Sequence, residues 1–208
     1  MNSMNLGSPM VVVVVGIPGS GKSFFARRFA ETFGAPLISE DKIRYTLFSN
    51  HTYESNEQAM VDQVAELLLD ELFVAGKTFV IDGGYNTKVS RADLESLANQ
   101  YDFKTLIVWV QTDEPTSRRR ATHRSEKVAG DQFKTSMSNE QFDMVSKTFT
   151  PPASSDKIKN VVVISGKHTY ASQAKMVLKK IVEAREDLQN PNQAVNRGDS
   201  PSRGIFIR

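Results

Sequence analysis

The chain has 208 residues, 39% of them hydrophobic and 24% charged, which is the composition of an ordinary globular domain with one sizeable core. Without cysteine it has no disulfide, thiolate metal site or cysteine nucleophile, and no apolar run is long enough to cross a bilayer, so we expect a cytoplasmic protein without a membrane partner. The net charge of +2 hides two basic segments, residues 117–135 and 189–208, on a mildly acidic body, which favours anionic ligands over general affinity for nucleic acid.

The first predicted element is a buried strand over Val11–Val15, which follows a flexible extension over residues 1–9. The strand runs into the sequence GIPGSGKS at residues 16–23, and a helical stretch over Phe24–Phe33 comes next. A GxxxxGK[ST] pattern between a strand and a helix is typical of a phosphate-binding loop. The sequence therefore predicts a site for a nucleoside triphosphate.

Each part of this loop has a physical role in that prediction. Its glycines let backbone N–H groups turn inward around the phosphates, Lys22 brings a positive charge to the β- and γ-phosphates, and Ser23 offers a hydroxyl to Mg²⁺. ATP and Mg²⁺ are the expected ligands. The residues predicted to contact the nucleotide here are Gly16, Pro18, Gly19, Ser20, Gly21, Lys22, Ser23 and Phe24.

Polar residues follow the next two predicted strands, Pro36–Ser39 and Thr78–Ile81, which are separated by a helix over about 56–75. In an open α/β sheet the ligand lies beyond the carboxyl ends of the strands. Asp41 is therefore a candidate base for an acceptor hydroxyl, with Arg44 one helical turn on to orient the acceptor, and Asp82 is a candidate Mg²⁺ carboxylate. The plainer alternatives are a helix N-terminal acid for Asp41 and a turn aspartate for Asp82.

A helix from Thr87 and a strand over Phe103–Val110 precede a helical excursion at about 113–150, which we predict to be a lid. A helix start at Thr112–Pro115 and a capping box formed by Ser138 and Gln141 place helices within it. Arg120 and Arg124 are four residues apart, so on a helix they would share one face and reach the phosphates when the lid closes. A solvated basic face is the alternative, especially for Arg118 and Arg119.

The last predicted strand, Val161–Ile164, leads to a turn with Gly166 and His168, then a helix over Tyr170–Leu188 and a disordered tail over 189–208. Alternating strands and helices predict a three-layer α/β domain over residues 10–188, with a parallel sheet of five strands.

These motifs together resemble the predicted P-loop kinases of the AAA-domain type, which are related to phage-type polynucleotide kinase and zeta toxins. The similarity spans about Val11–Val182 and rests on the phosphate loop, Asp41-x-x-Arg44, Asp82 with Arg91 nine residues on, and Arg120-x-x-x-Arg124. It implies a nucleotide-kinase-like fold with sheet order 2-3-1-4-5, Asp41 as base, Arg44 on the substrate, Arg124 on the ATP phosphates, and residues 165–168 beside the adenine. Many members carry Thr-Asn where this chain has Gly84 and Tyr85, which weakens any transfer of the acceptor's identity.

We therefore predict an ATP- and Mg²⁺-dependent kinase that phosphorylates a hydroxyl, in which Lys22, Asp41, Arg44, Arg120 and Arg124 act in catalysis. The acceptor is left open between a polynucleotide 5′-hydroxyl, a nucleotide sugar and a small metabolite. The alternatives are an ATPase or nucleotide switch without an acceptor, and a binding protein that has lost catalysis; the absence of an NKxD sequence disfavours a GTPase.

Overall fold

The computed structural model describes residues 9–49, 54–124, 133, 136–153 and 160–189. Five strands form one parallel sheet in the order β2-β3-β1-β4-β5, which confirms the predicted topology. Each predicted strand end lies within one residue of the observed one. The strands are β1 (Met10–Val15), β2 (Leu37–Ser39), β3 (Phe79–Asp82), β4 (Lys104–Gln111) and β5 (Val161–Ser165).

Helices connect these strands, as predicted from the alternating pattern. In the described part of the chain they are α1 (Lys22–Phe33), α2 (Glu40–Leu47), α3 (Ser55–Val74), α4 (Lys88–Gln100), α5 (Glu114–Thr122), α6 (Asn139–Thr148) and α7 (Tyr170–Gln189). No bounds were predicted for helix α2, although Arg44 was placed one helical turn after Asp41 and a helix N-terminal acid was the alternative for Asp41. Its signals are Ser39 as N-cap and two acidic residues in the first turn, which favour a helix start.

The two faces of the central strand β1 bury their side chains against different helices. The even-numbered residues 10–14 belong to a core with α1 and α7, whereas the odd-numbered residues 11–15 pack in a core with α3 and α4. Because β1 is covered on both faces, it is apolar throughout instead of alternating. This arrangement is the predicted three-layer fold, and it leaves the carboxyl ends of the strands at one edge of the sheet.

Helix starts and apolar faces agree with the sequence in most places. Thr87 and Ser138 each form a capping box with the residue three positions on, as the spacing at Ser138 predicted. Met60 and Leu67 on α3 are 53% and 61% exposed, so not every apolar residue of this helix faces the core. The side chain of Leu188 and the predicted flexible segments 1–8 and 190–208 lie outside the described residues. Within the described ranges, no helix combines the length and apolar character needed to cross a membrane.

Candidate active site

The phosphate-binding loop lies between β1 and α1. Gly16, Gly19 and Gly21 all have positive φ angles, of 144°, 75° and 107°. Helix α1 begins at Lys22, so its first unpaired N–H groups point toward the space that the loop encloses. The Lys22 ammonium donates a hydrogen bond of 2.9 Å to the carbonyl of Ile17, across the loop. This backbone shape is suited to hold an anion.

Neighbouring elements contact the phosphate-binding loop closely at two glycines, Gly19 of the loop itself and Gly166 of the turn after β5. A Cβ on Gly19 would overlap the carbonyl of Ser117 in α5, and a Cβ on Gly166 would overlap the carbonyl of Ser20. The Thr112 hydroxyl also donates a hydrogen bond of 2.9 Å to the Ser20 carbonyl. The start of α5 and the turn after β5 therefore brace the loop from outside.

The interior of the loop fits a phosphate group. The Ser20 hydroxyl is fully buried, and it has no hydrogen-bond partner among the described residues. A buried hydroxyl of this kind costs free energy unless something binds to it. Because this hydroxyl has no exposed surface, the groups that a phosphate can reach are the N–H groups at the start of α1, and these make the loop chemically suited to the phosphates of ATP.

Ser23, Asp41 and Asp82 line one cavity of about 380 Å³, although they come from three separate elements. Asp82 is buried at the end of β3, and its partner in register on β2 is Ser39, directly before α2. The parallel sheet therefore brings the ends of β2 and β3 beside the start of α1. A hydroxyl and carboxylates are the hard oxygen ligands that Mg²⁺ prefers, so these residues fit the predicted ion.

Two titratable groups beside this cavity have shifted pKa values. Burial, followed by the charges of Asp62 and Asp41, raises the pKa of Glu40 from 4.5 to about 7. Its carboxyl group lies against the Gly83–Gly84 turn that follows Asp82. Burial and the charge of Glu40 raise the pKa of Tyr85 to about 12. The charges of Asp62, Asp41 and Asp82 lie close enough to Glu40 to add to the effect of burial, and carboxylates grouped in this way favour binding of a cation.

Arg44 lies on α2, but its guanidinium is held by α3. It is 5% exposed, it forms an ion pair of 2.5 Å with Glu57, and it also donates a hydrogen bond to Gln58. These contacts fix α2 against α3. Because α2 begins next to Asp41, Arg44 is connected to the site through the backbone of its own helix.

Arg120 and Arg124 do not share a helix face, so that prediction was wrong. Helix α5 ends at Thr122, and Arg124 lies two residues beyond it. The physical reason is that residues leading into α6 take over the helical hydrogen bonds. The N–H of Met137 donates to the carbonyl of Ala121 (3.1 Å), and the N–H of Arg124 donates to the Ser136 hydroxyl (3.2 Å).

Arg118 and Arg120 have separate positions on α5. Arg118 is paired with Glu114 and Asp143 and lies 4.5 Å from the ring centroid of Phe142, so it connects α5 with α6. Arg120 is exposed, and it donates a hydrogen bond of 3.1 Å to the carbonyl of Gly166. Arg120 thus reaches the turn that braces the phosphate loop.

The turn after β5 lies beside the phosphate-binding loop. The Cβ position of Gly21 is 3.7 Å from the Cα of Gly166, and His168 is exposed two residues further on. Lys167 forms an ion pair with Asp113 at the start of α5, and this contact lowers the pKa of Asp113. The phosphate loop, α5 and this turn are therefore in mutual contact.

Sequence reasoning missed several residues of the site. Arg27, Lys42 and Phe133 line the same cavity as Asp41, and Glu40 lies at its edge. Arg27 is four residues after Ser23, so helical spacing from the phosphate loop could have identified it. No sequence signal places Phe133 in the lining of the same cavity, because it lies far from Asp41 in the chain.

Comparisons with known proteins agree with this architecture. Residues 11–152 match the family described as AAA domain, and the chain belongs to that family. A comparison with curated proteins found no match.

Three solved structures illustrate the similarity in fold. A gluconokinase from Sinorhizobium meliloti 1021 has a TM-score of 0.57 at 16% identity over 88% of this chain and 98% of its own. Kti12 from Chaetomium thermophilum, in complex with ADP-AlF3, has a TM-score of 0.63 at 17% identity over 81% and 96%. The APS kinase CysC from Mycobacterium tuberculosis, in complex with AMPPNP and APS, has 0.56 at 15% over 84% and 98%. At these identities the likeness establishes a shared fold and no more.

Proposed function

We propose that this member of the AAA domain family is a phosphotransferase that uses ATP and Mg²⁺ to phosphorylate a hydroxyl group. One observation carries the proposal: Ser23 of the phosphate loop shares a cavity with Asp41 and Asp82. A nucleotide-binding loop alone does not imply an acceptor. A cavity of about 380 Å³ with a carboxylate next to that loop has the size and chemistry for one.

The donor half of the proposed site is the loop over residues 16–23. Its N–H groups and Lys22 would hold the phosphates, while Ser23 and Asp82 would hold the metal ion. Bound Mg²⁺ supplies positive charge that offsets the charge developing on the transferring phosphoryl group. Phe24, which is 46% exposed at the start of α1, and the turn with Gly166 and His168 complete the proposed nucleotide contacts.

Asp41 is the proposed base. In the transfer step the acceptor hydroxyl gives its proton to the Asp41 carboxylate as its oxygen bonds to the γ-phosphorus. The bond between that phosphorus and the bridging oxygen of ADP breaks in the same step. Arg44 contributes through α2, which its ion pair with Glu57 fixes in place. This positioning role accounts for its burial better than direct contact with the acceptor.

The arginines of the helical region between β4 and β5 are proposed to contact the γ-phosphate when this region closes over the phosphate-binding loop. Arg120 already lies beside the turn after β5, and Arg124 follows α5 on a segment outside regular helix. A movement of this region toward the phosphate loop would bring guanidinium groups to the γ-phosphate, whose spread charge they match.

Within the family, we propose a relation to phage-type polynucleotide kinases and zeta toxins. The support is Asp41-x-x-Arg44 after the second strand together with Asp82 at the end of the third, of which Asp41 and Asp82 line the cavity. Gly84 and Tyr85 depart from that group's pattern two and three residues after Asp82, at the turn that Glu40 contacts. The acceptor is therefore not transferred from those relatives.

The test is a transfer screen with γ-labelled ATP and Mg²⁺. Acceptors should include oligonucleotide 5′-hydroxyls, nucleotide sugars and common hydroxyl metabolites, and Lys22→Ala provides an inactive reference. The proposal predicts labelled product from at least one acceptor class, lost in Lys22→Ala. Steady ATP hydrolysis with no labelled product from any class would instead favour the ATPase or switch alternative.

A further inference from the structure

The candidate cavity continues well beyond Asp41 and Asp82, along one face of α1. Its wall there consists of Ser23, Arg27, Ala30 and Glu31 on the helix and of Gly34 at the C-cap. These positions are spaced by three and four residues, so they lie on one stripe of the helix. At 1.5 Å per residue, the stripe extends about 16 Å from the phosphate loop. A compact group at the reaction end would leave much of this wall uncovered.

The chemistry of the lining changes along its length. The reaction end has the carboxylates Asp41 and Asp82 next to Ser23. One helical turn further along α1 comes Arg27, and Lys42 of α2 contributes a second cation to the same cavity. Further along, the lining consists of the small or apolar residues Ala30, Gly34, Ala35 and Leu37, together with the exposed carboxylate of Glu31. The cationic zone thus begins where the catalytic zone ends.

Arg27 is better suited than Lys42 to bind a ligand group strongly. Arg27 is half-buried, whereas Lys42 is exposed. A partly dehydrated guanidinium interacts more strongly with an anion than an ammonium in water does, and its planar fork matches a phosphate or carboxylate. Ser23 and Arg27 are separated by four residues, or about 6 Å along the helix axis.

We propose that this face of α1 is the wall of the acceptor site, and that Arg27 selects acceptors with a phosphate or carboxylate about one helical turn from the reacting hydroxyl. The inference rests on the proposed kinase function and narrows its substrate class. It excludes compact, uncharged acceptors as the preferred substrates. Arg27 is a specificity residue, because it contacts the far part of the acceptor and not the transferring group.

The experiment measures binding, so that it does not depend on transfer. The full chain is first saturated with ADP and Mg²⁺ to occupy the phosphate loop. Calorimetry then compares three matched pairs: ribose 5-phosphate with ribose, glycerate with glycerol, and a dinucleotide with and without a 3′-phosphate. Each pair is titrated into the wild-type protein, Arg27→Gln and Arg28→Gln. Arg28 is the matched control, because it is the next residue of α1 but is exposed and does not line the cavity.

The proposal predicts that the charged member of at least one pair binds the wild-type protein at least about tenfold more tightly, a difference of about 1.4 kcal/mol. Arg27→Gln should reduce that preference to below about threefold, whereas Arg28→Gln should keep it. The absence of a preference in every pair, or an unchanged preference in Arg27→Gln, overturns the inference. Charge-selective binding without phosphoryl transfer would instead support the anion site and contradict the kinase proposal.

Discussion

Arg120 and Gly166 are joined by a hydrogen bond of 3.1 Å from the guanidinium to the backbone carbonyl, across 46 residues of sequence. The same glycine packs so closely on Ser20 that a Cβ would overlap its carbonyl. Residue 166 therefore touches α5 on one side and the phosphate loop on the other. A larger side chain at residue 166 must therefore disturb both α5 and the phosphate-binding loop.

The first prediction concerns Gly166→Ala. The added methyl group must displace the Ser20 backbone, which should weaken ATP binding and lower the free energy of unfolding by about 1–3 kcal/mol. Calorimetry measures the affinity for ATP, and urea unfolding measures the free energy of unfolding. Gly76→Asn is the control, because no atom lies within 4 Å of a Cβ at Gly76 and asparagine tolerates its left-handed conformation. Equal ATP affinity in both variants would show that the contact with Ser20 does not shape the loop.

The second prediction concerns the buried ion pair between Arg44 and Glu57, whose side chains are 5% and 6% exposed. Glu57→Ala removes the carboxylate from a buried guanidinium, so the free energy of unfolding should fall by about 3–5 kcal/mol. The double variant Arg44→Met with Glu57→Leu should recover most of this loss, because neither charge is then buried. Urea unfolding of the three proteins checks both statements. If Arg44 mainly contacted solvent and acceptor, Glu57→Ala would hardly change stability.

The third prediction concerns the pH dependence of stability due to Glu40. Its pKa is about 7 in the folded protein, against 4.5 as the ordinary value, because of burial and the nearby charges of Asp62, Asp41 and Asp82, which Arg44 only partly offsets. Between these two pH values the unfolded chain releases the proton while the folded chain keeps it. Stability therefore falls as pH rises from about 4.5 to about 7, by at most about 3 kcal/mol.

Glu40→Gln should remove this component, so the variant should gain stability relative to the wild-type protein as pH rises through that range. Urea unfolding of both proteins at pH 5, 6, 7 and 8 measures the difference. Two stability curves that stay parallel from pH 5 to 8 would contradict the raised pKa.

Local features of this chain could be predicted from sequence because local forces determine them. The valine run predicts β1, and the glycine spacing predicts the loop with its positive φ angles. The capping residues at 138 and 141 fix the start of α6 within the helical region. The likeness to a known kinase family supplied the sheet order, which spacing alone does not determine.

The contacts that sequence could not predict join residues far apart in the chain. Arg44 of α2 is buried in an ion pair with Glu57 of α3. The spacing of residues in the sequence does not show how these two helices pack. Arg124 is not on α5 because its N–H, which a continued helix would direct to the Arg120 carbonyl, donates to the Ser136 hydroxyl instead. The brace between Gly166 and Ser20 joins positions on either side of β4.

The most direct test of the kinase account is the rate of phosphoryl transfer by Asp41→Asn at saturating ATP. Asparagine keeps the size of the side chain but cannot take the acceptor's proton. The account predicts ATP affinity within about twofold of the wild-type protein and transfer slower by about 100-fold or more. Transfer at the wild-type rate would contradict the kinase account, because the Asp41 carboxylate would then have no part in the reaction.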